Sequence, residues 1–319
     1  MSVYTTVSRD ELEAWLARYA IGEVTAFEPI ASGIENTNYF LTTARGRWVL
    51  TLYERLPAED LPFYLNFMAH LARAGVEVPA PQPDRTGALF SMLNRKPAGL
   101  VLRVDGTAVD APDVAHCRAV GDALARMHLA STTYRARLSN RRGPSWWRQA
   151  ARAVKPFLDP SQNDLLTAEL KFLSGYGSYS LPKGAIHGDL FCDNVLFVGE
   201  RVSGIIDFGF AASDYFAYDV AIAVNDWCVL ADGSLVPEHV RALIDGYVAQ
   251  RPLTTAEREH LPVLLRAAAL RFWLSRLYDL FLPRSGELTH AHDPMQFERI
   301  LRQRVAHTVE LAAPSPATS

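Results

Sequence analysis

The segment from His187 to Asn194 constrains this chain more than any other stretch. Asp189 follows a His-Gly pair, Asn194 lies five residues after it, and Asp207 comes thirteen residues later in an Ile-Asp-Phe-Gly turn. A carboxylate such as that of Asp189 can accept the proton of a substrate hydroxyl. The side-chain oxygens of Asn194 and Asp207 are hard ligands suited to Mg²⁺ on nucleotide phosphates. The sequence therefore predicts phosphoryl transfer, with Asp189 catalytic and Asn194 and Asp207 as metal ligands.

The residues around this motif favour short buried strands that bring the three side chains together. Apolar stretches at 184–186, 195–198 and 202–206 read as strands, which makes 189–194 a tight loop. The alternative is that His-Gly-Asp and Asp-Phe-Gly are ordinary loop tripeptides. Each alone is weak, but their order, spacing and strand context together are specific. We expect His187 to anchor the backbone of this loop.

Composition excludes several classes of partner. The chain has 319 residues, a net charge of −3 and a pI near 6.3, so it offers no electrostatic case for binding nucleic acid or an anionic membrane. The tightest basic cluster beside aromatic residues is Arg141 and Arg142, next to Trp146 and Trp147. We interpret this segment as a solvated loop rather than an RNA-binding patch.

The cysteines and the termini favour a cytoplasmic protein. Cys117, Cys192 and Cys228 show no Cys-x-x-Cys spacing, which is typical of thiols in a reducing compartment. The N-terminus lacks an apolar signal region, and charged residues interrupt the apolar segments before they reach membrane-spanning length. The last eight residues, 312–319, are predicted to be a disordered tail.

The hydrophobic pattern predicts an α+β chain with two lobes. Residues 1–103 read as a small, mainly antiparallel sheet with packed helices, one starting at a capping box at Ser8 and running to about Ala20, the other spanning 62–74. The predicted strands are 24–30, 39–41, 48–53, 89–93 and 100–104. Residues 104–311 read as a large helical lobe, interrupted only by the strand-rich segment 184–209. Asp105-Gly106 is the predicted crossover between the lobes.

This layout resembles the aminoglycoside phosphotransferase and choline kinase superfamily, and within it the homoserine kinases of the protein-kinase-like type. The stretches that carry the resemblance are 33–40, 49–54, 187–197 and 271–277, and it extends from residue 1 to about 311. It implies a two-lobed protein-kinase-like fold. It also implies ATP- and Mg²⁺-dependent phosphorylation of the side-chain hydroxyl of L-homoserine, by a monomer or a homodimer.

The expected glycine-rich loop over the nucleotide is reduced to a single glycine. The polar residues predicted to contact the phosphates are Ser32, Gly33, Asn36, Thr37 and Asn38. An ordinary hairpin turn is the alternative interpretation of this loop. Leu102 and Val104 are predicted to line the nucleotide site from the hinge.

The strand position that carries a phosphate-binding lysine in protein kinases holds Thr51 here. The helix at 62–74 also lacks a glutamate to pair with such a lysine. Because both members of the pair are missing, we interpret the site as reorganised rather than damaged, since an orphaned charge would be costly. Arg47 and Arg55 are the candidate replacement cations, and the sequence does not choose between them.

Two arginines in an apolar helix, Arg271 and Arg276, are predicted to bind the acceptor. An arginine fork suits a carboxylate, although Asp219 or Asp279 could instead pair with Arg271. The candidate partners for a substrate ammonium are Asp193, Asp214, Asp219 and Asp226. We place Asp193 with the substrate residues and expect Asp219 to support the catalytic loop.

Two other functions stay open at this stage. The enzyme could phosphorylate another small alcohol, such as choline, an aminoglycoside or a sugar-like amine. A cationic acceptor without a carboxylate would make a buried Arg271 unhelpful, so this residue discriminates between the two. A nucleotide-binding pseudokinase is the remaining alternative, and the intact Asp189, Asn194 and Asp207 argue against it.

Overall fold

The computed structural model describes residues 4–30, 36–283 and 293–307. Two of the predicted nucleotide-loop residues, Ser32 and Gly33, lie outside the described residues, as does the predicted tail at 312–319. Among the described residues, no helix combines the length and the apolar character needed to cross a membrane.

The N-terminal part is a five-stranded antiparallel sheet with the strand order β1-β2-β3-β5-β4. Its strands are β1 (Val24–Pro29), β2 (Thr37–Thr43), β3 (Gly46–Leu52), β4 (Phe90–Leu93) and β5 (Lys96–Leu102). Alternate side chains of the central strands, such as Leu41 and Leu50, are buried on one face, as the period of two requires. Helix α1 (Arg9–Leu16) covers that face and completes a small separate core.

Helix α1 has the predicted start but ends earlier than expected. The capping box between Ser8 and Glu11 is present, and the last helical residue is Leu16 rather than Ala20. Tyr19 and Ile21 are still buried in the small core, in a turn that leads to Gly22 at φ 82°. Tyr19 and Ile21 are therefore apolar because they stay buried after the helix has ended.

Helix α2 (Leu61–Arg73) faces the helical part of the molecule. Its buried side chains, including Phe63, Phe67 and Leu71, belong to the large core and not to the small core under α1. The ring of Phe67 contacts that of Phe208, with 5.8 Å between centroids. The helix thus links the sheet to the segment that follows Asp207.

The second part is helical and is built around the large core. Its helices are α3 (Val114–Ser131), α4 (Pro144–Val154), α5 (Pro160–Phe172), α6 (Phe216–Trp227), α7 (Pro237–Gln250), α8 (Thr255–Phe281) and α9 (Pro294–Ala306). This order confirms the predicted α+β class, with a small antiparallel-sheet lobe followed by a helical lobe.

The strand-rich segment forms two small antiparallel sheets. One pairs β6 (Lys183–Ile186) with β9 (Ala212–Tyr215), and the other pairs β7 (Val195–Val198) with β8 (Arg201–Ile205). Strand β9 was not predicted. Its sequence, Ala-Ser-Asp-Tyr, has little intrinsic strand preference, so its extended form depends on pairing with β6.

The predicted crossover between the lobes, at Asp105-Gly106, packs closely against β7. Gly106 has φ 124°, and a Cβ atom there would lie 2.7 Å from the carbonyl oxygen of Phe197. Thr107 forms two backbone hydrogen bonds with Phe197, of 3.1 and 2.9 Å. Glycine therefore lets the hinge pass directly over β7.

The Arg141–Arg142 segment is a turn before α4 in which Arg141 is exposed, in keeping with the predicted solvated loop. Trp146 and Trp147 lie in the first turn of α4, and Trp147 is buried in the large core. Arg141 forms an ion pair with Asp60, and Arg142 is half-buried. The aromatic pair belongs to the start of α4 and not to the loop.

Candidate active site

The catalytic loop, residues 187–194, leaves β6 and is fixed by one buried carboxylate. Asp219 in α6 accepts hydrogen bonds of 2.8 Å from the backbone nitrogens of both His187 and Gly188. Burial opposes its ionisation, but hydrogen bonds from the His128 ring and from the loop hold the pKa of Asp219 below its usual value. Asp219 thus supports the loop as predicted.

A glycine allows the loop to approach the turn after Asp207. Gly188 has φ 78°, a conformation that side chains disfavour. A Cβ atom at this position would lie 2.6 Å from the carbonyl oxygen of Phe210. Phe210 is therefore packed directly against the residue that precedes Asp189.

His187 connects the loop that carries Asp189 to Ile206, the residue before Asp207. Its Nδ1 accepts a 3.2 Å hydrogen bond from the backbone nitrogen of Asp189, so its Nε2 is the donor in the 2.9 Å bond to the carbonyl oxygen of Ile206. Burial lowers the pKa of His187, in keeping with a neutral ring. These contacts confirm the predicted anchoring role.

Asn194 and Asp207 meet because β7 and β8 are paired. The backbone nitrogen of Ile206 donates to the carbonyl oxygen of Asn194 at 2.9 Å. The side-chain nitrogen of Asn194 donates to the carbonyl oxygen of Asp189 at 2.9 Å, which identifies its other amide atom as the oxygen. Asp207 is exposed, and its φ of 59° and ψ of 71° place it in the left-handed region.

The donor atoms of Asn194 and Asp207 fit Mg²⁺. One amide oxygen and one carboxylate are hard ligands, and Mg²⁺ on nucleotides commonly takes only one or two protein ligands besides phosphate and water. Asp207 accepts a 3.2 Å hydrogen bond from Gly209 through Oδ1, which orients the carboxylate. The two predicted metal ligands, Asn194 before β7 and Asp207 after β8, therefore lie at the same end of one small sheet.

Arg271 in α8 lies beside the carboxylate of Asp189, the predicted catalytic residue. Its side chain is 4% exposed, and its Nη1 lies 3.2 Å from Oδ1 of Asp189. The guanidinium carbon is 3.6 Å from the centroid of the Phe272 ring and 4.8 Å from that of Phe210. The sequence predicted an anionic partner for this arginine, and the structure identifies that partner as Asp189.

Arg276 is held mainly by α9. Its Nη1 donates to the carbonyl oxygen of Asp293 at 2.9 Å and to Oε1 of Gln296 at 2.7 Å. The guanidinium also lies over the ring of Phe297, 4.5 Å from its centroid. Burial lowers the pKa of Arg276. These contacts give Arg276 a structural use that Arg271 does not share.

The four candidate partners for an ammonium separate into two groups. Asp214 accepts from Asn140 at 2.7 Å, and burial raises its pKa. Asp226 accepts from the backbone nitrogen of Cys192 at 2.7 Å, and burial raises the pKa of Asp226 to about 6. Both carboxyls, like that of Asp219, are used to hold the fold. Asp193, by contrast, is exposed on the catalytic loop.

The predicted nucleotide residues do not all lie on one face of the sheet. The Thr51 hydroxyl donates to Oδ1 of Asn38 at 2.8 Å. Thr37 is fully buried, and its hydroxyl donates to Oε1 of Glu54 at 2.8 Å, so its side chain points to the opposite face. Asn36 accepts a 3.3 Å bond from the backbone nitrogen of Glu54. Thr37 is therefore a structural residue of β2.

Leu102 and Val104, at the hinge, differ in how far their side chains are exposed. Leu102 is 44% exposed, whereas Val104 is packed against β8, where a Cβ atom at Gly204 would lie 2.6 Å from Cγ1 of Val104. Between them, the guanidinium of Arg103 lies 3.9 Å from the centroid of the Phe40 ring. Sequence reasoning missed Arg103, because its contact with Phe40 depends on the order of the strands.

The candidate replacement cations lie at different places. Arg47 pairs with Asp105 at 2.5 Å, at the hinge end of β3, and is half exposed. Arg55 is exposed beyond the other end of β3. A Lys96–Glu54 ion pair of 3.0 Å lies on the same face as Thr37, opposite to Thr51. That pair does not substitute for a lysine at position 51.

Comparisons with known proteins agree with this geometry. The sequence model of the phosphotransferase enzyme family matches residues 26–253. A homoserine kinase of Methylobacillus flagellatus is 50% identical over 313 residues, covering 98% of this chain and 98% of the relative. A homoserine kinase of Burkholderia multivorans is 49% identical over 324 residues, again covering 98% of each chain.

Solved structures show the same fold at low sequence identity. An amicoumacin kinase in complex with AMP-PNP, Ca²⁺ and Ami is 14% identical, with a TM-score of 0.71, and the match covers 94% of this chain and 92% of that one. A microcompartment-associated aminopropanol kinase is 20% identical, with a TM-score of 0.65 and coverage of 93% and 94%. These similarities confirm the predicted two-lobed kinase-like fold. The chain therefore belongs to the phosphotransferase enzyme family, in the group of relatives named homoserine kinase.

Proposed function

We propose that this protein transfers the γ-phosphoryl group of ATP to the side-chain hydroxyl of L-homoserine, giving O-phospho-L-homoserine and ADP. The relatives that are about half identical over almost the whole chain carry the name homoserine kinase. The structural observation that carries the proposal is the buried guanidinium of Arg271, 3.2 Å from the Asp189 carboxylate. A fixed positive charge beside the reacting hydroxyl favours an acceptor that has a carboxylate.

Asp189 orients the acceptor in this mechanism. The acceptor oxygen forms a bond to the γ-phosphorus while the bond from that phosphorus to the bridging oxygen of ADP breaks, and the hydroxyl proton passes to the Asp189 carboxylate. The loop that carries Asp189 is held by Asp219 and His187, so the carboxylate is positioned before the substrate binds. Most of the rate enhancement then comes from positioning and charge neutralisation.

Asn194 and Asp207 would hold Mg²⁺ in this site. When bound, the ion neutralises charge on the β- and γ-phosphates. The His187 and Ile206 contacts keep the two ligands in register with Asp189. One rigid unit therefore carries the acceptor-orienting group and both proposed metal ligands.

We place the nucleotide between the sheet and β8. Ser32, Gly33, Asn36 and Asn38 are proposed to contact the phosphates. Leu102 and Val104 are proposed to line the nucleotide site at the hinge. Asn38 lies on the same face as Thr51, and Leu102 is exposed at the end of β5. Thr37 is left out because its side chain lies on the other face.

Replacing Thr51 with lysine is expected not to improve the enzyme, although it restores the residue found in protein kinases. Helix α2 offers no glutamate, so the new ammonium would be desolvated without a matched partner. We expect kcat/KM for ATP to stay the same or to fall. Thr51→Val is the matched control, because it removes the hydrogen bond to Asn38 without adding charge. A gain in kcat/KM for ATP in the lysine variant would contradict the reorganised site.

Arg271→Met tests the acceptor site. Methionine keeps an apolar stem between Phe210 and Phe272 but removes the fork, so kcat/KM for homoserine should fall at least about tenfold. The affinity for ATP should change little. Assaying 3-aminopropan-1-ol, which lacks only the carboxylate, separates two roles of Arg271. If the losses for both substrates are equal, the arginine acts through Asp189 alone and does not bind the carboxylate.

Two further residues, Asp193 and Arg276, complete the proposed acceptor site. Asp193 is exposed on the catalytic loop and is our choice for the substrate ammonium. Arg276 stays a proposed second contact, although α9 already uses its guanidinium. We further propose a cytoplasmic enzyme, in keeping with the three free cysteine thiols.

A product assay over a panel of alcohols tests the function. Purified protein with ATP and Mg²⁺ is incubated with L-homoserine, choline or an aminoglycoside, and phosphate esters are identified by ³¹P NMR. We expect an ester of homoserine that forms in step with ADP. Preferential phosphorylation of choline or the aminoglycoside would replace the proposal with its nearest rival. ATP binding without any product would favour a pseudokinase.

A further inference from the structure

Arg142 brings a second guanidinium to the same aromatic ring as Arg271. Its guanidinium carbon lies 5.7 Å from the centroid of Phe210, and that of Arg271 lies 4.8 Å from the same centroid. We infer that Arg142 is a specificity residue that binds the carboxylate of the acceptor together with Arg271. This inference rests on the proposed function, because it assigns a further group to the acceptor site.

The loop before α4 fixes the position of Arg142. Leu138 and Ser213 exchange hydrogen bonds that attach the loop to β9. Asn140 donates to Asp214 at 2.7 Å and accepts from the backbone nitrogen of Arg142 at 2.8 Å. The buried carboxyl of Asp214 thus fixes Asn140, and Asn140 in turn fixes the backbone of Arg142. Asp219 supports the catalytic loop in a similar way.

The Trp146 ring connects the side chain of Arg142 to α8. Its guanidinium carbon is 4.3 Å from the centroid of the Trp146 ring, and that ring contacts Tyr278 in α8, with 6.4 Å between centroids. Tyr278 is seven residues after Arg271, which is two turns along the same face of the helix. Arg142, from the loop before α4, and Arg271, from α8, therefore both reach Phe210.

The length of the acceptor favours a shared carboxylate site. In an extended homoserine molecule the hydroxyl oxygen and the carboxylate carbon are separated by on the order of 5 Å. Nη1 of Arg271 lies 3.2 Å from Oδ1 of Asp189, which is shorter than the distance between the hydroxyl and the carboxylate of such a substrate. The carboxylate can then lie beyond Arg271, over the half-buried Phe210, where Arg142 supplies the second guanidinium. Two planar guanidinium groups around one carboxylate match its geometry better than a single ammonium group would.

Replacing Arg271 and replacing Arg142 should have different effects on the kinetics. Arg271 contacts Asp189, so its removal affects the chemical step as well as acceptor binding. Arg142 is assigned to the carboxylate of the acceptor and not to the chemical step. Removing it should raise KM for homoserine and leave the turnover of an acceptor without a carboxylate unchanged.

The test compares Arg142→Met, Arg142→Lys and the control Arg148→Met, which changes an exposed arginine in α4, the helix that follows the Arg142 loop. Each is assayed with L-homoserine and with 3-aminopropan-1-ol. We expect Arg142→Met to lower kcat/KM for homoserine at least about tenfold, mainly through KM, with 3-aminopropan-1-ol and KM for ATP unchanged within about twofold. Arg142→Lys should recover part of the loss, and Arg148→Met should behave as the parent protein.

Two results would overturn the assignment of Arg142. One is an Arg142→Met variant with unaltered kcat/KM for homoserine. The other is an equal loss with both acceptors, which would assign Arg142 to the stability of the loop. Failure of the parent protein to phosphorylate homoserine is a separate observation. It contradicts the proposed function itself, and the carboxylate assignment with it.

Discussion

Asp189→Asn is expected to lower kcat by at least about a hundredfold, because the variant removes the group that accepts the hydroxyl proton. Asparagine keeps the shape of the side chain and can still accept a hydrogen bond from Arg271, so the loop should keep its structure. The contacts that hold the loop, from Asp219 and His187, do not use the Asp189 carboxylate. ATP affinity should therefore stay within a few-fold of the parent value.

The controls separate chemistry from folding. Asp164→Asn neutralises an exposed carboxylate on α5 and should leave kcat unchanged. Equilibrium binding of ATP and the thermal unfolding midpoint check that Asp189→Asn is folded. A variant that keeps a tenth or more of kcat would assign the acceptor-orienting role to another residue.

Asp207→Ala should produce the second large loss, in Mg²⁺-dependent ATP binding and turnover. It deletes the anionic oxygen ligand and leaves Asn194 as the only proposed protein ligand. The residue also has φ 59°, a conformation that alanine adopts with strain and that asparagine tolerates. Asp207→Asn is therefore the sharper variant, because it removes the charge and keeps the backbone.

A Mg²⁺ titration measures this effect. For both variants we expect a higher Mg²⁺ concentration at half-maximal activity, with the asparagine variant showing the same thermal unfolding midpoint as the parent protein. Full activity of Asp207→Ala at the parent's Mg²⁺ requirement would refute the ligand assignment. Low activity that high Mg²⁺ does not relieve in either variant would assign Asp207 to another role.

The catalytic loop could be predicted because its determinants are local in the sequence. Asp189 and Asn194 are five residues apart, and strands flank the loop on both sides. The pairing of β7 with β8 then brings Asp207 to Asn194. Residue type and spacing were enough to place these three groups.

The acceptor side could not be predicted because its contacts are distant in the sequence. Arg271 is separated from Asp189 by 82 positions, and the sequence offered Asp219 and Asp279 as equally suitable partners. Arg142 meets Phe210 only because β9 attaches the preceding loop to β6. The sequence of β9 itself gave no clear strand signal. Tertiary packing decides each of these contacts.

Strand alternation decided which polar residues of the nucleotide loop face the cleft. Thr37 and Asn38 were both predicted as phosphate contacts in a loop, but both belong to β2. Neighbouring strand residues point to opposite faces, so only Asn38 shares a face with Thr51. A correct strand boundary would have separated the two residues from sequence alone.

The ratio of kcat/KM for L-homoserine to kcat/KM for 3-aminopropan-1-ol measures whether the acceptor site selects for a carboxylate. The two acceptors share the hydroxyl and the amine and differ only in the carboxylate. A site with the buried Arg271 at the proposed acceptor position should prefer homoserine by at least about a hundredfold, because the amine alone offers this arginine no second carboxylate besides Asp189. Equal values for the two acceptors would contradict the homoserine kinase proposal and favour a kinase of amino alcohols.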